Sequence, residues 1–169
     1  MTYFAAALAR TPGGWAAEEL DLSELGDLEA VVDELRELTG DGPGPALLLL
    51  EEDDEHVAVV RVDGGLSSLD DPRVFLSDER AAQASDVAAM LWEGDAPPAD
   101  GDEDDDDAGR VLAEPVGDSD LLADLGTPAE DLLALCAEEG LLPSDVLAAV
   151  CERAGCLDAL EQLREGVTA

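Results

Sequence analysis

The only histidine of this 169-residue chain, His56, is the first residue whose chemistry could serve catalysis. It follows Asp53, Asp54 and Glu55, so a general base flanked by carboxylates is one interpretation. The other is a turn residue at the edge of a strand. No second histidine exists, and no Ser or Cys lies beside His56 in sequence to complete a nucleophilic triad. The pattern therefore favours the turn residue.

The three cysteines and the Asp-rich run do not have the spacing of metal sites. Cys136, Cys151 and Cys156 form no C-x2-C pair, whereas zinc sites use closely spaced thiolates or imidazoles. A calcium loop of the EF-hand type begun at Asp100 would place Asp105 where the turn requires glycine, and an apolar residue at position 12. We therefore predict buried, reduced thiols, no metal and no cofactor.

The charge of the chain is informative about partners. Asp and Glu number 43 and Lys and Arg 8, which gives a formal net charge of −35, and every base is arginine. Such a body repels phosphate backbones and attracts basic surfaces within a screening length of ~8 Å. Nucleic-acid-binding proteins instead carry basic patches with aromatic residues. The charge predicts no direct contact with nucleic acid and a protein partner with a basic surface.

Two acidic runs are the candidate partner-binding patches. The first lies between two predicted strands, and the second lies in an Asp-rich segment. Their residues are Glu51, Glu52, Asp53, Asp54, Glu55, Asp102, Glu103, Asp104, Asp105, Asp106 and Asp107.

The first half of the chain has the pattern of an α+β fold, an antiparallel sheet with helices on one face. Apolar runs bounded by turn residues predict strands at 2–9, 15–22, 46–50, 57–62 and 74–76. Helical spacing of apolar residues predicts helices at 28–40 and 79–92, the second with an N-cap at Ser77 or Asp78.

The second half reads as a linker followed by a small all-helical C-terminal segment. Residues 93–107 hold nine acids and no base, and blocks of like charge are typical of disorder. Thr127 predicts an N-cap before Pro128, and Ser144 predicts a second one. The predicted domains are an α+β domain at 1–92, a flexible acidic linker at 93–117 and a helical region at 118–165.

No segment has the length of a membrane span, because the longest uninterrupted aliphatic stretch is residues 46–50 and a span needs about 20 residues. Residues 3–9 are apolar, but no positive residue precedes them, which does not fit a signal peptide. The odd number of cysteines also argues against a disulfide framework. We predict a cytoplasmic protein without membrane contact.

Several segments in order resemble one family. They are the first strand with Trp15, the strand ending in Val60-Arg61-Val62-Asp63-Gly64-Gly65, Leu76-Ser77-Asp78, the Asp-rich spacer and residues 120–126. Over about residues 3–163 the chain resembles the tRNA adenosine deaminase-associated proteins of actinobacteria. The absence of Lys, Ile and Asn agrees with a GC-rich genome. The resemblance implies association with the deaminase and brings no catalytic residues.

The chain is not the deaminase itself, because those enzymes carry H-x-E and P-C-x-x-C motifs and neither occurs here. Three hypotheses follow. The first is a non-catalytic accessory protein of a tRNA adenosine deaminase that acts through its acidic surface. The second is an acidic nucleic-acid mimic that inhibits or competes for a basic protein. The third, less favoured, is an unrecognised enzyme that uses carboxylates as acid and base.

Overall fold

The computed structural model describes residues 3–11, 13–39, 45–52, 56–63, 72–78, 80–81, 85–92, 115–138 and 140–168. Its strands are β1 (Tyr3–Thr11), β2 (Gly14–Glu19), β3 (Ala46–Glu52), β4 (His56–Val62), β5 (Arg73–Leu76) and β6 (Val116–Gly117). Its α-helices are α1 (Leu28–Thr39), α2 (Asp86–Leu91), α3 (Ala129–Ala137), α4 (Pro143–Ala154) and α5 (Leu157–Thr168). Short 3-10 turns occupy Leu22–Glu24 and Ala123–Leu125.

The strands form one antiparallel sheet in the order β2-β1-β3-β4-β5-β6. The interior strands β3 and β4 are buried almost throughout. The continuous apolar run at the start of β3 explains this burial, because a strand covered on both faces does not alternate between apolar and polar residues. The sheet therefore needs a helical layer on each side.

Each face of the sheet has its own apolar core. Leu48 and Leu50 point to one face, where they pack with α1 and α2, while Leu47 and Leu49 point to the other, where they pack with α3, α4 and α5. Successive side chains of a strand alternate between faces, so β3 contributes to both cores. The predicted α+β class is confirmed, with α1 and α2 on one face, and the C-terminal helices cover the opposite face.

The strand β6 lies where the sequence analysis placed the end of the linker. Val116 and Gly117 pair with Leu76 and Phe75 at the edge of the sheet. Gly117 has a φ of +98°, and a Cβ added to it would overlap the carbonyl oxygen of Val74, so only glycine fits there. Residues 93–114 lie outside the described residues, and the three-part domain division stays a prediction.

Of three predicted helix starts, the two in the C-terminal segment are wrong. At the first of the three, the Asp78 carboxylate accepts from the Arg80 amide at 3.0 Å and Ala81 is helical, as predicted. The helix Asp86–Leu91 has its own cap, Ser85, whose Oγ accepts from the Ala88 amide at 3.1 Å, and residues 79 and 82–84 lie outside the described part. Thr127 does not cap α3, because the helix begins one residue later and the carbonyl of Pro128 accepts its first bonds. The third, α4, begins at Pro143, one residue before the predicted cap.

In the part of the chain that the structure describes, no helix is both long and apolar enough to cross a bilayer.

Candidate functional site

The first predicted acidic patch begins on β3, where the structure describes two of its residues. Glu51 is engaged within the fold, since its carboxylate accepts hydrogen bonds from both terminal nitrogens of Arg164, at 3.1 and 3.0 Å. The same guanidinium lies over the Phe4 ring, 4.8 Å from the ring centroid. Glu51 therefore ties α5 to the sheet.

Glu52 is buried on the opposite face of the sheet, against His56. The two residues face each other across the β3–β4 pair, with Oε1 of Glu52 3.1 Å from Nε2 of His56. They are only 1% and 7% exposed. Among the described residues neither carboxylate oxygen of Glu52 nor Nε2 of His56 has a partner with good hydrogen-bond geometry, so their contact is a close approach with a poor angle. The prediction of a strand-edge turn residue is wrong, because β4 is an interior strand.

The remaining residues of the predicted patches, 53–55 and 102–107, lie outside the described part of the chain. Their role in binding a partner stays a prediction. A third acidic surface, which the sequence analysis did not single out, lies on α1.

The outer side of α1 carries a row of acids. Glu29, Asp33 and Glu37 are exposed and spaced four residues apart, so they lie on one side of the helix over about 12 Å. Asp27 lies just before the helix, and its carboxylate accepts from the Ala30 amide at 2.9 Å. We call Asp27, Glu29, Asp33 and Glu37 the α1 acidic face. Its signal in the sequence is the four-residue spacing, opposite the apolar positions of the same helix.

Arginines make the polar contacts between the sheet and the C-terminal segment. Arg61 projects from β4 into the apolar core between the sheet and the helices α3, α4 and α5, which we call the second core. It is 6% exposed. Its guanidinium donates to the carbonyl of Leu121, to both carboxylate oxygens of Asp124 and to Asp63. One side chain therefore fixes the chain that leads into α3 against the centre of the sheet.

Other arginines are paired with carboxylates in the same way. Because these positive charges are neutralised by neighbouring acids, they contribute little to the outward potential. These further pairs are Arg73–Asp118, Arg80–Asp78, Arg153–Asp131 and Arg164–Glu51.

The pairs at the second core perturb the titration of their members. Hydrogen bonds from Arg61 hold the pKa of Asp124 below its ordinary value, and Arg73 does the same for Asp118. The bonded Asp124 in turn raises the pKa of Arg61. These carboxylates therefore remain ionised further into acid than free ones.

The three cysteines lie among the C-terminal helices as free thiols. Burial raises the pKa of Cys136 to about 11, and a hydrogen bond between Cys151 and Cys156 together with burial raises the pKa of Cys151. Cys136 and Cys151 are therefore held in the protonated form, in which thiols are poor nucleophiles and poor metal ligands, whereas the same hydrogen bond lowers the pKa of Cys156. Among the described residues no three His, Cys, Asp or Glu side chains are grouped so as to hold a metal ion.

These features define an acidic α+β protein whose antiparallel sheet is covered by helices on both faces. The family model described as Rv3753c-like tRNA adenosine deaminase-associated protein matches residues 3–157, and the chain belongs to this family. The resemblance stated from the sequence is thereby confirmed. Comparison with curated proteins and with solved structures found no match.

Proposed function

We propose that this protein is a non-catalytic, cytoplasmic accessory protein that binds a tRNA adenosine deaminase through its acidic surface. The family description supports the association with the deaminase. An enzyme that binds tRNA needs a basic surface for the phosphates, and an anionic partner complements such a surface. The non-catalytic role is supported by the missing H-x-E and P-C-x-x-C motifs.

The observation that carries the proposal is that most of the described arginines are paired within the fold while a row of acids remains exposed. Five arginines are bonded to carboxylates, whereas the α1 acidic face is exposed to solvent. Like charges four residues apart weaken a helix by about 0.2–0.5 kcal/mol per pair. The helix start gives Asp27 and Glu29 a role in helix stability, because acids are favoured there. Glu37 lies in the last turn, where the helix dipole disfavours an acid, and a basic partner would stabilise it.

Calorimetry of the protein with the deaminase of the same organism, at low salt and at ~0.5 M salt, tests the proposal. We expect binding at low salt that weakens strongly at high salt. The variant Glu29→Gln/Asp33→Asn/Glu37→Gln tests the α1 acidic face, and neutralising variants of residues 53–55 and 102–107 test the two predicted runs. If the wild type does not bind at low salt, the proposal is wrong.

The second candidate function is a nucleic-acid mimic that occupies the tRNA groove of a basic protein. The ordered carboxylates of α1 favour it, because a mimic needs negative charges at fixed spacing. A filter-binding assay separates the two functions: a mimic displaces tRNA from the deaminase, while an accessory protein that binds basic surface outside the tRNA groove leaves tRNA bound.

A further inference from the structure

The helix α3 carries apolar residues on its exposed side as well as on its buried side, together with the exposed Glu130. Seven of its nine residues are Ala, Leu or Cys, but only Leu132 is fully buried. On a surface helix the side that faces away from the core is normally charged or polar. The apolar residues on the exposed side of α3 therefore suit a contact with another molecule.

Two large exposed side chains lie at and just after this helix. Within the part of the chain that the structure describes, Leu133 (38% exposed) and Leu142 (48%) are the only large apolar residues so exposed. Single exposed leucines are ordinary, but here Ala134 and Ala137 are also exposed and lie on the side of α3 that carries Leu133. Leu142 is on the turn that follows. We call Leu133, Ala134, Ala137 and Leu142 the α3 patch.

Acids predominate around the α3 patch, and Arg153, which reaches this helix, is paired there with Asp131. Residues 129–145 contain five acids and no base. Glu138 and Asp145 are exposed, and Asp145 also accepts from the Leu142 amide at 3.2 Å. An apolar surface with an acidic rim is complementary to an apolar segment flanked by Lys or Arg.

Charge also disfavours two other occupants. A second copy of this chain would bring another net charge of −35 against the same rim. Residues 93–107 of the chain itself carry nine acids and no base. A basic protein is the occupant that the rim attracts.

We propose that the α3 patch is a docking surface for an amphipathic, basic segment of the partner protein, with Leu133 and Leu142 as its apolar contacts. This inference rests on the proposed function and adds a second contact with the deaminase, on the face of the sheet opposite the α1 acidic face. Carboxylates steer the encounter, and the leucines supply contacts that salt does not screen.

The test compares deaminase binding by the full-length wild type and by Leu133→Gln/Leu142→Gln. We expect the variant to bind at least about tenfold more weakly at both salt concentrations, because two leucines lose their burial in the complex. A matched pair of exposed helical alanines controls for the substitution itself: Ala134→Gln should weaken binding, and Ala89→Gln, on the opposite face of the sheet, should not. Circular dichroism melting verifies that each variant is folded.

Hydrogen exchange of the complex gives an independent measurement. We expect slower exchange of amides in residues 129–142 when the deaminase is bound. Normal binding by the double variant, with no added protection of 129–142, would overturn the docking surface and leave the proposed function standing. No wild-type binding at low salt would overturn both. A wild-type dimer in sedimentation that the double variant abolishes would assign the patch to self-association and overturn the docking of a partner.

Discussion

Replacing Arg61 by Met should loosen the C-terminal segment from the sheet. Methionine keeps an unbranched apolar stem of similar length within the second core but removes every donor of the guanidinium. The carbonyl of Leu121 and the carboxylates of Asp124 and Asp63 then lose this partner. The size of the loss in the free energy of unfolding depends on which of these acceptors water can reach.

Leu121 is fully buried, so its carbonyl oxygen loses a donor that water cannot replace, at a cost of about 1–3 kcal/mol. The Asp124 and Asp63 side chains are 62% and 38% exposed, and they rehydrate. Exposed ion pairs of this kind contribute up to about 1 kcal/mol. The expected loss in the free energy of unfolding is about 1–4 kcal/mol, or about 2–16 °C in Tm for a chain of this size.

Urea unfolding followed by circular dichroism measures this loss, and Arg73→Met is the matched control. Arg73 also projects from the sheet toward the C-terminal segment, but its side chain is 37% exposed and its partner Asp118 is 38% exposed. The control should lose less than about 1 kcal/mol.

Equal losses in the two variants would refute the reasoning, because burial of the acceptor would then not set the cost. A loss below about 1 kcal/mol for Arg61→Met would show that the Leu121 carbonyl finds another donor. Hydrogen exchange locates the effect: we expect faster exchange in residues 121–132 of Arg61→Met than in the wild type.

Three further outcomes are expected. Asp118 and Asp124 have lowered pKa values in the folded state, so the stability they add is present above about pH 4 and is lost as the pH falls through their folded pKa values. Between pH 2 and 6 in 0.5 M salt, the urea midpoint of Asp118→Asn/Asp124→Asn should therefore fall less with acidification than that of the wild type, and equal slopes would contradict this. Gly117→Ala should lower the free energy of unfolding by at least about 2 kcal/mol, because the added Cβ meets the Val74 carbonyl. Gly140→Ala, with open space around it, should lower it by about 1 kcal/mol in the same urea assay, and equal losses would contradict the steric argument. Raising NaCl from ~0.1 to ~0.5 M should increase the urea midpoint, because screening relieves the self-repulsion of the −35 charge, and a decrease would mean that the arginine pairs dominate.

Strands β1 to β5 and α1 could be predicted from local patterns, whereas β6 lies within the predicted linker. A continuous apolar run indicates a buried strand at Ala46–Leu50. A helical spacing of apolar residues indicates the buried side of α1, at Leu28, Val31, Val32 and Leu35. Both signals act within about ten residues. The two-sided burial of β3 was also readable, but nothing local says which helices cover each face.

The polar contacts were less predictable. Arg164 and Glu51 are 113 positions apart in sequence, and no periodicity links such a pair. The acids at 51 and 52 therefore suggested a free patch, while the fold pairs one with an arginine and buries the other beside His56. The α1 acidic face could have been found, since its spacing and the apolar stripe opposite were both visible in the sequence.

The two-faced sheet has a consequence for synthesis. Strands β1 to β5 lie within the first 92 residues, but the helices that cover Leu47, Leu49 and Phe75 come after residue 128. A nascent chain therefore completes most of its sheet while one apolar face has no cover, which is the kind of intermediate that aggregates. The first 92 residues already carry 21 carboxylates against five arginines. Mutual repulsion between ribosome-bound copies would keep those open faces apart until the last helices emerge.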